Sequence, residues 1–270
     1  WDVSKRANEI WNYGPLQVME GLQVASYPAA RDEKGTGGHY DWHADLLLGY
    51  LAKESRLLSV SVQLSDADDY LGGGLVVGSR EASRQRGDVI VFPSYIAHKV
   101  FPVSKGQRNV LVGWIRGSTG VGMYTEFARK AHARVLSDEA AWRSLRDRAA
   151  VIGGQESLQG SAPVGMQKVY GNQLLNLGRV TEAVEVLRSI AKEDPASAGV
   201  LNNLAVSEYS LGNLTQAIKD LRFAVKLRPS DGEVITNLGR FYFLDGDPGS
   251  GTYWIMQGVL LWHRKAIMML

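Results

Sequence analysis

The C-terminal third of this chain repeats itself, and a repeat leaves few folds open. Leu177-Gly178 recurs as Leu211-Gly212, and Gly246 continues the series; Ala183 recurs as Ala217, and Pro195 as Pro229. Each interval is about 34 residues, the length of one helix–turn–helix unit. The shared positions have geometric reasons. A glycine between paired helices admits the left-handed backbone that ends the first of them. An alanine lets two helices cross closely, and a proline stops the second helix because it has no amide hydrogen to continue it. Asn202 to Leu211 and Leu214 to Leu227 are predicted as one such pair. The third unit keeps Leu238, Gly239 and Tyr242 but has Gly251 and Gly258 where small packing residues are usual, as a frayed or capping unit would. A generic helical bundle is the alternative, and the coincidence of several positions at one period argues against it.

The first 117 residues or so carry a different period. Leu58, Val60, Val62 and Leu64 alternate with Ser59, Ser61 and Gln63, the pattern of a half-buried strand. Val89, Ile90 and Val91 follow the turn Arg86-Gly87-Asp88. Val110, Val112 and Trp114 alternate with Leu111, Gly113 and Ile115, so this strand is apolar on both faces and is expected at the centre of a sheet. Gly72-Gly73-Gly74 breaks the chain between strands, and Ser4 to Trp11 reads as an amphipathic helix packed outside them. Many short strands separated by turns point to a sandwich or jelly roll. From about Thr125 to Val151 the pattern turns helical, with Phe127, Ala131, Val135 and Leu145 able to share faces, and Gly153 to Pro163 has the composition of a linker. The expected organisation is a two-domain α+β chain: a β domain with its N-terminal helix over 1–120, a helical extension over 121–152, a linker over 153–164 and the repeat block over 165–270.

Composition removes several kinds of function. Hydrophobic residues at 45% and charged residues at 21% allow a buried core. A formal charge of +2 provides no strong field for nucleic acid or membrane. With no cysteine there is no disulfide, thiolate metal site or thiol nucleophile, although this does not fix the compartment; a cytoplasmic setting is the default expectation. No apolar run reaches the 18 residues that a membrane span needs. The chain begins at Trp1, which reads as a trimmed or incomplete N-terminus and leaves a leader peptide open.

His43-Ala44-Asp45 is the most informative triplet. On a strand, residues i and i+2 share a face, so His43 and Asp45 can converge on one ion. His98 lies 53 positions further on, near the start of another strand. Two histidines and one carboxylate bind one face of iron(II) and leave three positions for a bidentate oxo acid and O2. Arg108 follows His98 by ten residues; a chain that turns and returns brings its guanidinium to the same pocket, where it can fork onto a distal carboxylate. A histidine–x–aspartate triplet alone is more often a surface pair. The second histidine, the arginine and the apolar strand ending in Trp114 together make coincidence a poor explanation. His39 reads as a solvated loop histidine, and His132 and His263 as structural or exposed residues in helical segments. Arg80, Arg84 and Arg86 form a small basic run, read as a solvated loop.

At these residues the sequence resembles a known family. Tyr27-Pro28, Gly35 through Asp45, Leu58 through Ser65, Tyr70 through Leu75, Gly87 through Pro93 and His98 through Trp114 are similar to the prolyl 4-hydroxylase-like iron(II)/2-oxoglutarate-dependent dioxygenases, over roughly residues 15 to 117. The 34-residue interval resembles that of tetratricopeptide repeats. The resemblance implies a double-stranded β-helix, or jelly roll, with the metal at its open end. It implies His43, Asp45 and His98 as iron ligands and Arg108 as the partner of the C5 carboxylate of 2-oxoglutarate. Tyr27, Gln63 and Trp114 match positions that line the cosubstrate pocket, against a core strand tyrosine, an outward strand residue and plain core packing respectively; Tyr40 and Trp42 flank the first ligand and are candidates for the substrate mouth. Iron(II), 2-oxoglutarate and ascorbate are the implied cofactors. There are departures. Leu71 stands where many relatives have an acidic residue, and Arg108 where some prolyl hydroxylases use lysine, which weakens any case for a collagen-like substrate.

The implied reaction couples decarboxylation of 2-oxoglutarate, giving succinate and CO2, to hydroxylation of a substrate by O2, and asks for no side-chain general acid or base. The leading expectation is a protein or peptide substrate hydroxylated at proline, docked by the repeats, whose stacked helix pairs make a concave surface. The alternatives are a small molecule or free amino acid, with the repeats serving oligomerisation, and an inactive β-helix on a repeat scaffold. The intact His43, Asp45, His98 and Arg108 argue against the last. A nucleobase substrate is disfavoured by the lack of a basic groove in the sequence.

Overall fold

The computed structural model describes residues 2–11, 13, 16–30, 37–45, 55–117, 130–131, 133–147, 163–176 and 178–267. It divides into two compact units, 1–170 and 171–270. The predicted linker up to residue 162, Phe127 and His132 lie outside the described residues, as does most of the first part of the helical extension.

The first unit holds two antiparallel sheets. One contains β1 (Leu16–Met19), β2 (Gln23–Pro28), β4 (Ser55–Gln63), β5 (Tyr70–Gly72), β8 (Val89–Pro93) and β10 (Val103–Gly117). The other is ordered β3 (Tyr40–His43), β9 (His98–Val100), β6 (Leu75–Val77), β7 (Arg80–Glu81). β10 is 15 residues long and pairs with β1, β2, β4 and β5, which is the central place its two apolar faces predict. Its pairing register sets Arg108 opposite Tyr27 and Val112 opposite Gln23 on β2. On its other edge Val110 faces Gln63, Val112 faces Ser61 and Trp114 faces Ser59 of β4. Side chains alternate along a strand, so these residues share one face of the sheet.

The period of β4 predicts one apolar face in the core and one polar face in water. The structure differs: Ser59, Ser61 and Gln63 are buried, as Leu57 and Leu58 are. The polar face looks inward. The apolar face is covered from outside, where Ala7 of α1 (Asp2–Trp11) and Tyr13 join Leu57, Leu58, Tyr95 and Ile115 in one cluster. A second cluster of Val76, Ala97, Phe101, Trp142, Leu145 and Met166 ties α2 (Glu139–Asp147) and the first turn of α3 (Val164–Asn176) to the smaller sheet. One polar clamp holds the larger sheet at its end. Glu20, just after β1, accepts from Arg56 Nε and Nη2 at 2.9 and 2.7 Å and from Arg116 Nε at 2.7 Å.

The second unit is built of antiparallel helices: α4 (Val180–Glu193), α5 (Ala198–Ser210), α6 (Leu214–Leu227), α7 (Gly232–Leu244) and α8 (Pro248–Ile267). The repeat positions do what their spacing requires. Gly178, Gly212 and Gly246 have φ of 71°, 85° and 82°. Ala183 and Ala217 have no exposed surface. α4 and α6 each end two residues before a proline. Gly251 and Gly258 belong to a regular helix rather than a frayed one. A Cβ on Gly251 would lie 2.6 Å from the Phe243 ring, and one on Gly258 2.7 Å from Thr236 Oγ1, so both glycines serve close packing of α7 on α8. Among the described residues no helix is long and apolar enough to cross a membrane.

Two tests follow from these contacts. Ala217→Leu forces extra methylenes into a filled helix crossing and should cost about 1–3 kcal/mol in denaturant unfolding. The guanidinium of Arg56, aided by Arg116, holds the Glu20 carboxyl at about 2, down from an ordinary 4.5. That stabilisation is complete above pH 4.5 and is lost as pH falls towards 2. The melting temperature of Glu20→Gln should therefore lie below that of the native chain at pH 6, and the gap should close on acidification; a constant gap would contradict the assignment.

Candidate active site

His43 ends β3 and His98 begins β9, and the two strands pair so that the histidines are direct neighbours. Their rings lie 4.0 Å apart between centroids. Asp45 is two residues past His43, just beyond the end of the strand, and still turns to the same point. Its Oδ1 is 3.7 Å from His43 Nε2 and its Oδ2 is 3.4 Å from His98 Nε2. One ligand atom from each of the three residues falls within 4.8 Å of the others. An ion bound at about 2.1 Å to each would bring adjacent ligand atoms to about 3 Å, a small closure from these distances.

Backbone carbonyls orient both imidazoles. His43 Nδ1 lies 2.7 Å from the Asp41 carbonyl oxygen and His98 Nδ1 3.1 Å from that of Ile96. A carbonyl only accepts, so each Nδ1 carries the proton and each Nε2 presents a lone pair. Burial, followed by the neighbouring His43, lowers the His98 pKa from 6.5 to about 4, so its ring is neutral near pH 7, as a metal ligand must be. The edge of Phe92 closes against His98 at 4.8 Å. The aspartate is held from the opposite sheet: Ser59 Oγ donates to Asp45 Oδ2 at 2.6 Å and sits 2.9 Å from Ser94 Oγ.

These groups open on a cavity of about 450 Å³. Its floor is the shared face of β2, β10 and β4 already described, with Tyr27, Arg108, Val110, Val112, Trp114, Ser59 and Ser61 among its lining. Arg108 is 3% exposed and its guanidinium carbon lies 5.5 Å from the Tyr27 ring centroid. Its Nε donates to Gln63 Oε1 at 3.2 Å, while its Nη1 is buried with no partner among the described residues. Burial lowers the pKa of this arginine and raises that of Tyr27. An orphaned cationic donor at a cavity wall is a place for an anion, because leaving it unpaired is costly.

The structure brings most of the sequence-predicted site residues together. Tyr40 lines the cavity, with its ring 4.1 Å from that of His43. Two differ. Trp42 turns to the other side of β3 and packs edge-on against Trp142 at 6.2 Å, so it takes no part in the cavity lining. Gln63 does not line the cavity either; it stands behind Arg108. His39 is exposed and bonds locally to Gly37. Sequence reasoning missed Ser59, whose only signal was a polar residue in alternation. It also missed Arg56, which lies 3.7 Å over the Trp114 ring at the cavity wall. Arg84, expected in a solvated loop, instead covers the Tyr70 ring at 4.5 Å.

Parts of the chain are similar to known proteins. Residues 22–116 match the 2OG-Fe(II) oxygenase superfamily and residues 170–232 a tetratricopeptide repeat. A PKHD-type hydroxylase of Synechococcus sp. (strain CC9902) is 41% identical over 98 residues, covering 34% of this chain and 42% of the relative. Another, from Idiomarina loihiensis, is 32% identical over 115 residues, covering 40% of this chain and 50% of the relative. The chain thus spans about half the length of the curated relatives it matches. The crystal structure of MamA overlaps at a TM-score of 0.38 and 13% identity, over 54% of this chain and 80% of that one. The β unit is a 2OG-Fe(II) oxygenase domain of jelly-roll form, and the helical unit is a tetratricopeptide-like region.

If Ser59 orients Asp45 for a metal, Ser59→Ala should weaken divalent metal affinity by about 10–100-fold, as loss of a ligand's hydrogen-bond partner does elsewhere. Calorimetric titration with Mn(II) reads this, and an unchanged affinity would show the hydroxyl to be incidental.

Proposed function

We propose that this chain is an iron(II)- and 2-oxoglutarate-dependent dioxygenase that hydroxylates a protein or peptide, at a prolyl residue. One observation carries the reading: three metal-competent ligand atoms and a buried arginine with one unpartnered donor open on the same cavity. His43, Asp45 and His98 would hold iron(II), and Arg108 would take the distal carboxylate of 2-oxoglutarate. Bound iron supplies O2 activation coupled to decarboxylation of the cosubstrate. Ascorbate belongs to the proposal as the reductant that keeps the iron ferrous.

The side chains have binding and orienting duties. The carbonyls of Asp41 and Ile96 keep the imidazole lone pairs on Nε2. Ser59 fixes which aspartate oxygen faces His98. Val110, Val112 and Phe92 line the cavity with apolar surface, which limits water around the reacting groups and strengthens the charge pairing of Arg108. Tyr40, more than half exposed beside His43, stands where a substrate enters. The relatives are named hydroxylases, which supports the reaction class. The tetratricopeptide-like region supports a polypeptide partner, because stacked helix pairs form extended binding surfaces.

A second reading, hydroxylation of a small molecule or free amino acid, draws on the cavity volume of about 450 Å³, within the range of small-molecule sites. Succinate release, measured with a peptide library and with free amino acids in the presence of iron(II), ascorbate and 2-oxoglutarate, separates the two. Peptide-dependent succinate with a gain of one oxygen in the peptide is the expected result; turnover of amino acids alone would reject the peptide reading. In the same assay His43→Ala and Asp45→Ala should abolish turnover, and Arg108→Ala should raise the 2-oxoglutarate requirement by about 100-fold, the loss of a charge-assisted bidentate contact. Full activity in His98→Ala would overturn the ligand assignment.

A further inference from the structure

Behind Arg108 runs a buried chain of hydrogen bonds. Gln63 and Tyr70 are each 1% exposed. Gln63 Nε2 donates to the Tyr70 hydroxyl at 2.9 Å and to the Ser65 carbonyl oxygen at 3.4 Å. A carbonyl cannot donate, so the amide nitrogen of Gln63 must face Ser65 and Tyr70, and its oxygen must face Arg108. That oxygen occupies Nε of the guanidinium. The guanidinium is also hydrogen-bonded to Tyr70, so the donor left for an incoming carboxylate is Nη1, which is buried without a partner among the described residues. Tyr70 is itself fixed. Arg84 lies over its ring and donates from Nη2 to its carbonyl oxygen at 3.2 Å. Gly73 leaves room for the assembly: at φ 65°, a Cβ there would lie 3.3 Å from both Tyr70 Cδ2 and Arg108 Cδ.

We propose that Gln63 and Tyr70 are positioning residues that make the site selective for a 2-oxo acid bearing a second carboxylate. They act from behind Arg108: by holding Nε they fix its terminal edge towards the cavity. The inference rests on the reading of Arg108 as the cosubstrate anchor. A merely structural role for Gln63 and Tyr70 would instead lower stability and weaken all 2-oxo acids alike.

The test compares 2-oxoglutarate with 2-oxopentanoate, which has the same chain length and lacks the distal carboxylate. Dissociation constants are measured by calorimetry on the full chain loaded with Mn(II) in the absence of oxygen, and ligand-free thermal unfolding reports folding separately. Tyr70→Phe keeps the ring under Arg84 and removes only the hydroxyl. It should weaken 2-oxoglutarate about five- to tenfold and leave 2-oxopentanoate within about twofold, the loss expected for one hydrogen bond in a positioning chain. Gln63→Met should give the same split and serves if Tyr70→Phe folds poorly. Parallel weakening of both acids, or unchanged 2-oxoglutarate affinity in both variants, would overturn the inference while leaving the anchor intact. Failure of 2-oxoglutarate to bind the unsubstituted chain would instead refute the function proposed above, and this inference with it.

Discussion

The hydrogen-bond register of β10 with its neighbours is the constraint on which the site depends. Side chains alternate along a strand, so a slip of one residue would carry Arg108, Val110, Val112 and Trp114 to the opposite face together. The register is held from both edges. β2 sets Tyr27 against Arg108, and β4 sets Ser59 against Trp114. The Glu20 clamp on Arg56 and Arg116 pins the end of the same strands with three charge-assisted hydrogen bonds. A rigid scaffold of this kind is what a site needs when positioning does most of the chemistry.

The interior polarity of the β unit follows from that arrangement. Buried hydroxyls, amides and charges are costly unless paired, and most of them here are paired with one another. Ser59 and Ser94 meet at Asp45; Gln63 and Tyr70 meet behind Arg108. At the cavity three donor or acceptor positions are left for a ligand: the Nε2 lone pairs of the two histidines and Nη1 of Arg108. Unmet valence at a cavity wall marks where ligands belong. Charge enters the same way, since burial keeps His98 neutral.

The helical unit obeys a simpler rule. Each helix pair cannot bury its apolar side alone and is completed by the next, so equivalent positions recur at one interval. The buried Ala183 and Ala217 and the left-handed Gly178, Gly212 and Gly246 are the residues on which that geometry turns. Gly251 and Gly258 take the small-residue role in the last crossing, where Phe243 and Thr236 come too close for a Cβ.

Local pattern alone determined a good deal of this protein. The 34-residue period set the repeats, alternation set the strands, the two apolar faces of residues 110–115 set a central strand, and His43, Asp45, His98 and Arg108 were legible as a candidate ligand set with a candidate anion partner. Spacing reports which residues can share a face, and these features depend on nothing else. Tertiary structure decided which side of each strand is inside and what stands behind each functional group. The polar residues of β4 turn inward while α1 covers the other face, and no property of Ser59 or Gln63 in sequence distinguishes an inner surface from an outer one. Trp42 left the site because it packs edge-on against Trp142, one hundred positions away in sequence. Contacts of that range come from packing two sheets and their covering helices together, and a one-dimensional pattern carries no record of them.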